Sequence, residues 1–70
     1  METKNEFKDI LKALRSERAV GQVELAKSIG VSKGTISFWE NGLREPGMSS
    51  LIALSKYFGV SVDYLLGIDK

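Results

Sequence analysis

Residues 22–40 read QVELAKSIGVSKGTISFWE, and the reading of this stretch decides the fold. It describes two short helices meeting at a corner. The first opens at Gln22: Gly21 stands at the N-cap, Glu24 is the third helical residue, and Val20 outside the helix is spaced to staple to Leu25 inside it. The helix runs to Ile29. Gly30 follows, and its missing Cβ removes the cost of the left-handed conformation that ends many helices. Gly30 and Val31 are all that separate this helix from the next cap, Ser32. The Ser32 hydroxyl is placed to accept a hydrogen bond from the backbone N–H of Gly34 or Thr35, while Val31 faces Ile36. This second helix runs from the cap through Trp39 to about residue 41. Small Ala26 lets the two helices cross closely, and Leu25, Ile29, Val31, Ile36 and Trp39 supply apolar surface for one shared core.

Working outward, Phe7, Ile10, Leu11 and Leu14 follow the i, i+3, i+4, i+7 rule of an amphipathic helix, with Lys8, Asp9, Lys12 and Arg15 on other faces. A helix over about residues 5 to 18 is expected. On the other side of the corner, Asn41 and Gly42 stop the helix, and Leu43, Arg44, Glu45 and the only proline, Pro46, form a loop. A further helix follows over about residues 48 to 58, with Leu51, Leu54 and Phe58 inward and Gly59 ending it. Ser61 then caps a short last helix in SVDYLLG, with Val60 and Leu65 as its staple pair. The expected fold class is all-α, five helices in one domain over residues 5–68, preceded by a flexible N-terminal tail at residues 1–4.

Composition narrows the chemistry. Seventy residues, 43% of them hydrophobic, make a single core and leave no room for a deep substrate pocket. The chain has no cysteine and no histidine, which removes disulfides, thiolate and imidazole metal ligands, and Cys or His catalysis. Asp9, Asp63 and Asp69 are scattered, so no carboxylate metal site and no cofactor are expected. Nor does the sequence hold a paired-carboxylate motif or a Gly-rich phosphate loop, so an enzyme is not expected. No apolar run approaches the roughly 18 residues of a membrane span, and the opening METKNEFKD lacks a signal-peptide core; the expected location is the cytoplasm. Ten Lys and Arg against nine Asp and Glu leave a net charge of +1. That is not the strongly basic balance that announces nucleic-acid binding unaided, so any such case rests on geometry.

The geometry does point that way. A helix from Gln22 to Ile29, a corner at Gly30 and Val31 and a helix opened by Ser32 have the dimensions of a helix-turn-helix, whose second helix enters the DNA major groove. Over most of its length, GQVELAKSIGVSKGTISFWENGLREP followed by LIALSKYFGVSVDYLLG, the chain resembles the phage-repressor-like helix-turn-helix family, of the Cro and xenobiotic-response-element type. The resemblance implies a five-helix, lambda-repressor-like DNA-binding domain. It also implies a homodimer that represses transcription from a palindromic double-stranded operator.

Position by position, the resemblance makes Gln22 a phosphate contact and a brace for the recognition helix, at a helix N-terminus whose free N–H groups and dipole suit an anion. Relatives carry Thr before this glutamine, and Gly21 departs from that. Base-reading positions fall on Ser32, Lys33, Gly34, Thr35, Ser37 and Phe38. Lys33 can donate to guanine or to a phosphate, the hydroxyls suit either, and Phe38 can press on a thymine methyl. Gly34 has no side chain to read with and admits close approach of the backbone. Phe38, where relatives hold polar readers, stands for a methyl contact, a protein contact or partial burial. Asn41, Gly42, Leu43 and Arg44 match the loop whose backbone amides and basic side chain grip the phosphate backbone. Glu40 and Arg15 match a pair that ties the recognition helix to the first helix. Val62, Tyr64, Leu65, Leu66 and Ile68 match a dimer contact, with core packing claiming some of them. The rival reading is a protein-interaction module on the same fold, antirepressor-like or antitoxin-like, with a regulatory protein as partner; the low net charge, Gly34 and Phe38 favour it.

Overall fold

The computed structural model describes residues 6–68. Among them are five helices and no strand: α1 (Phe7–Arg18), α2 (Gln22–Ile29), α3 (Lys33–Glu40), α4 (Met48–Phe58) and α5 (Val62–Leu66). The expected tail, residues 1–4, and residue 5 lie outside the described residues. The first helix begins later than the apolar spacing indicated, because Glu6 is extended (φ −86°, ψ 159°) and serves as the N-cap. At the other end of the corner α3 stops at Glu40, with Asn41 already outside helical geometry (φ −99°, ψ 3°).

The helix ends share one device. A residue in the left-handed region follows each helix directly, or after Asn41 in the case of α3: Ala19, Gly30, Gly42, Gly59 and Gly67. An aliphatic residue comes next, and its N–H reaches back to a carbonyl in the last turn: Val20 to Arg15, Val31 to Ala26, Leu43 to Phe38, Val60 to Ser55, Ile68 to Asp63. These bonds satisfy carbonyls that a helix end leaves without partners. They also aim Val20, Val31 and Val60 inward, where all three pack against the core. Local chain chemistry and tertiary packing therefore agree at each corner.

The core is formed by Leu11 and Leu14 of α1, Leu25 and Ala26 of α2, Ile36 and Trp39 of α3, Leu51, Leu54 and Phe58 of α4, and Leu65 of α5. Each fully buried leucine-sized side chain contributes about 1.5–3 kcal/mol relative to exposure. Trp39 takes the ring of Phe7 edge-on, with centroids 6.1 Å apart and planes at 73°, a geometry suited to the aromatic quadrupoles. Arg18 closes the far end of α1 onto α4, donating to the Phe58 carbonyl at 2.7 Å while its guanidinium lies 5.6 Å from the Phe58 ring centroid. The result places α2 and α3 against each other at one side of the molecule, with α1 beneath α3.

Candidate nucleic-acid interface

The corner between α2 and α3 forms as its residues dictate. Ser32, extended at φ −84° and ψ 158°, accepts the Thr35 N–H on its hydroxyl at 3.1 Å. That hydroxyl is also hydrogen-bonded to the Thr35 hydroxyl, the two oxygens lying 2.9 Å apart. Ala26 is buried in the core that α2 and α3 share, where a larger side chain would overpack it.

Beneath α3 lies a polar brace. Glu40 is only 4% exposed. Its carboxylate accepts from Arg15 through both Nε and Nη2, the latter at 2.8 Å, and from Gln22 Nε2 at 3.0 Å. Arg15 also donates through Nη1 to the Val20 carbonyl at 2.9 Å. One guanidinium thus joins α1, the α1–α2 corner and the end of α3. Burial alone would push the Glu40 carboxyl up. The hydrogen bonds from Arg15 and Gln22, with the positive charges of Arg15 and Lys12, outweigh it and hold the group below the ordinary carboxylate range. Donating to Glu40 in turn pushes the Arg15 guanidinium up. Glu40 is a fully satisfied structural ion and not an exposed charge.

Successive helical residues point about 100° apart, so burial of Ile36, Trp39 and Glu40 turns Gly34, Phe38 and Asn41 to the opposite side of α3. Thr35 and Ser37 fall at the edges of that face and are half-buried, while Ser32 and Lys33 are exposed at its start. Lys33 forms no ion pair among the described residues. Phe38 is 43% exposed while its neighbour Trp39 is buried: the tryptophan is core, the phenylalanine is surface. The Arg44 guanidinium lies 5.4 Å from the Phe38 ring centroid, within the range of a cation–π contact. Arg44 is thereby held on the outer face of α3.

The loop after α3 departs from expectation in one respect. The amide of Asn41 donates to Ser37, that of Gly42 to Trp39 and that of Leu43 to Phe38. These three N–H groups close the end of α3 and are not free to meet a phosphate. The Asn41 side chain also turns back, donating to the Ser37 carbonyl at 2.9 Å. What this loop offers an anion is the side chain of Arg44. Gln22 likewise has one N–H engaged by Glu40, so bracing is its structural role in this chain and a second donor remains for another acceptor.

Of the residues expected at a dimer contact, Leu65 is fully buried and belongs to the core. Its staple position with Val60 turns it inward, and Val62 also packs partly against the core. Tyr64, Leu66 and Ile68 remain exposed. Sequence reading passed over Met48 and Ile52, which stand exposed on α4. Their signal was available: the two lie four residues apart, off the stripe of Leu51, Leu54 and Phe58. The Arg44–Phe38 stacking was also missed, since it depends on a loop conformation that spacing does not reveal.

Comparison with known proteins decides the family. Residues 11–65 match the helix-turn-helix family. The chain belongs to this family. The relatives it matches are named as regulators of transcription: it is 43% identical over 61 residues to the HTH-type transcriptional activator BcrR of Enterococcus faecalis, covering 87% of this chain and 30% of that protein. It is 43% identical over 56 residues to repressor protein C2 of Salmonella phage P22, covering 80% of this chain and 26% of that one. The chain thus spans about a third or less of the length of these two relatives. The crystal structure of the P22 c2 repressor in complex with a synthetic operator superposes with a TM-score of 0.88 at 38% identity, covering 94% of this chain and all of that one. A chain of the SinR protein–SinI protein complex superposes with a TM-score of 0.79 at 33% identity, over 86% of this chain and 59% of that one. The fold is the five-helix phage-repressor type, as the sequence implied. No helix among the described residues is long and apolar enough to cross a membrane.

Proposed function

We propose that this chain binds double-stranded DNA sequence-specifically, with α3 in the major groove, and controls transcription as a homodimer on a two-fold symmetric operator. The observation that carries this reading is the outer face of α3. It presents Lys33, Phe38 and the stacked Arg44 to solvent, with Ser37 half-buried at its edge, while the Arg15–Glu40–Gln22 brace fixes the helix from below. A rigid reading helix is what base discrimination requires, because hydrogen bonds and methyl contacts in the groove tolerate little misplacement. Ser32, Thr35 and the helix start suit phosphate and base edges, Gln22 a phosphate beside α2, and Gly34 close approach. Tyr64, Leu66 and Ile68 are the side chains left to join two copies, whose recognition helices would then meet half-sites about 34 Å apart. Identity alone is equal for the activator BcrR and the phage repressor; we take repression as the direction because the fold superposes on the operator-bound phage repressor with a TM-score of 0.88, and the cytoplasm as the place of action.

Selection of bound sequences from random duplexes tests the reading. A two-fold symmetric consensus is the expected outcome; enrichment of nothing would count decisively against it. The second reading, a protein-interaction module, draws on the net charge of +1 and the exposed Phe38, and on the SinR–SinI complex among the structural neighbours. It predicts weak binding that does not distinguish one duplex from another.

A further inference from the structure

Arg44 is the only cation in the loop between α3 and α4. Among the described residues it forms no ion pair, not even with its neighbour Glu45. A long side chain left in that state samples many rotamers, and ordering it on a phosphate subtracts from affinity. Arg44 nevertheless has a contact within the protein. Its guanidinium carbon lies 5.4 Å from the centroid of the Phe38 ring, within cation–π range. The turn after α3 brings the two together: Gly42, at φ +73°, folds the chain back, and Leu43 donates its N–H to the Phe38 carbonyl at 2.9 Å. Arg44 is the next residue, so a backbone bond and a ring contact both tie this arm of the loop to position 38.

A cation–π contact uses the charge of a guanidinium and none of its five N–H donors. Those donors stay available to phosphate oxygens, which arginine can meet two at a time. The ring itself has no place in the core, because Trp39 beside it fills the inward position while Phe38 stays 43% exposed. Resting on the DNA-binding reading above, we infer that Phe38 is a positioning residue: it holds the Arg44 guanidinium in place for the phosphate backbone and adds affinity for any duplex through Arg44. A residue of the recognition helix is thereby withdrawn from base reading and joined to the grip on the backbone.

The test uses the 70-residue chain, the duplex that selection yields and a random duplex of the same length. Phe38→Leu keeps an apolar side chain and removes the π face. It should weaken both duplexes alike, by about two- to fivefold, the worth of an exposed cation–π contact expressed as affinity. Phe38→Tyr keeps the ring and should bind as the wild-type chain does. In an Arg44→Ala background Phe38→Leu should change neither affinity further, because the two residues act as one unit. Since the ring is half-exposed, all these variants should melt cooperatively with wild-type helical circular dichroism. A loss confined to the selected duplex would make Phe38 a reader of bases. A loss that persists undiminished in the Arg44→Ala protein would show that Phe38 acts without Arg44. Either result overturns the positioning role and leaves the DNA reading standing, as does a Phe38→Leu protein of unchanged affinity. If the wild-type chain enriches no duplex, the DNA reading falls and the positioning role falls with it.

Discussion

The carboxylate of Glu40, the last residue of α3, is gripped through two nitrogens by the guanidinium of Arg15 in the second half of α1. Twenty-five residues of sequence separate them, and the pair closes the recognition helix onto the body of the domain. Removing one partner of a buried ion pair leaves the other without its counter-charge, which costs more than the pair contributes net. Arg15→Met should therefore destabilise the fold by roughly 3 kcal/mol, read as a lower urea midpoint. A loss under 1 kcal/mol would show that Gln22 and solvent suffice to hold Glu40. Replacing Glu40 by Gln should cost less, since the amide can still accept from Arg15.

The same site sets a pH dependence. The Glu40 carboxyl ionises below its ordinary value of 4.5 in the folded chain, so between the two values the unfolded state binds more protons. Stability from this group is then fully present above about pH 4.5 and is lost as pH falls through the folded value. Thermal melting of the wild-type chain between pH 5 and pH 3 should show a drop that Glu40→Gln reduces. Equal acid sensitivity in the two proteins would remove Glu40 as its cause.

Ala19 stands at φ 54° where the other four helix ends have glycine. An L-residue there carries a penalty of about 1–2 kcal/mol, offset in part by the lower chain entropy of alanine when unfolded. Ala19→Gly should raise stability by about 0.5–1 kcal/mol, or several degrees in melting temperature for a domain of this size. A melting temperature unchanged or lowered would mean that the Val20–Arg15 and Ala19–Ser16 bonds already relieve the strain.

These residues also show what was legible in the sequence. The corner of α2 and α3 was, because Gly30, Ser32, Ala26 and Trp39 each satisfy a local rule and agree with one another. Helices α4 and α5 were legible from their apolar spacing and caps for the same reason. The start of α1 was less so, since Phe7 fits an apolar stripe whether or not the residue before it is helical. Leu65 fitted both a staple pair with Val60 and a dimer contact, because an apolar pentapeptide does not reveal which of its side chains turn inward. The amides of Asn41, Gly42 and Leu43 looked free because their bonds depend on the left-handed Gly42 folding the chain back over α3. Arg44 on Phe38 is legible only once that turn exists.

If the chain binds DNA as proposed, Lys33 and Arg44 should divide the work of specificity and affinity. Lys33 is exposed at the start of α3, and Arg44 is held on the flank of the helix by Phe38. A base contact discriminates among sequences, whereas a phosphate contact adds the same attraction to all of them. Lys33→Ala should weaken the selected operator roughly five- to a hundredfold while leaving random DNA nearly unaffected, and should relax preference at one or two positions. Arg44→Ala should weaken operator and random duplex by the same factor, and should lower the slope of log K against log salt by about 0.9, one released counterion. Gel-shift titrations over a range of salt concentrations measure both quantities. Equal losses on the two duplexes for Lys33→Ala would assign it to the phosphate backbone, and a sequence-dependent loss for Arg44→Ala would move it into the groove.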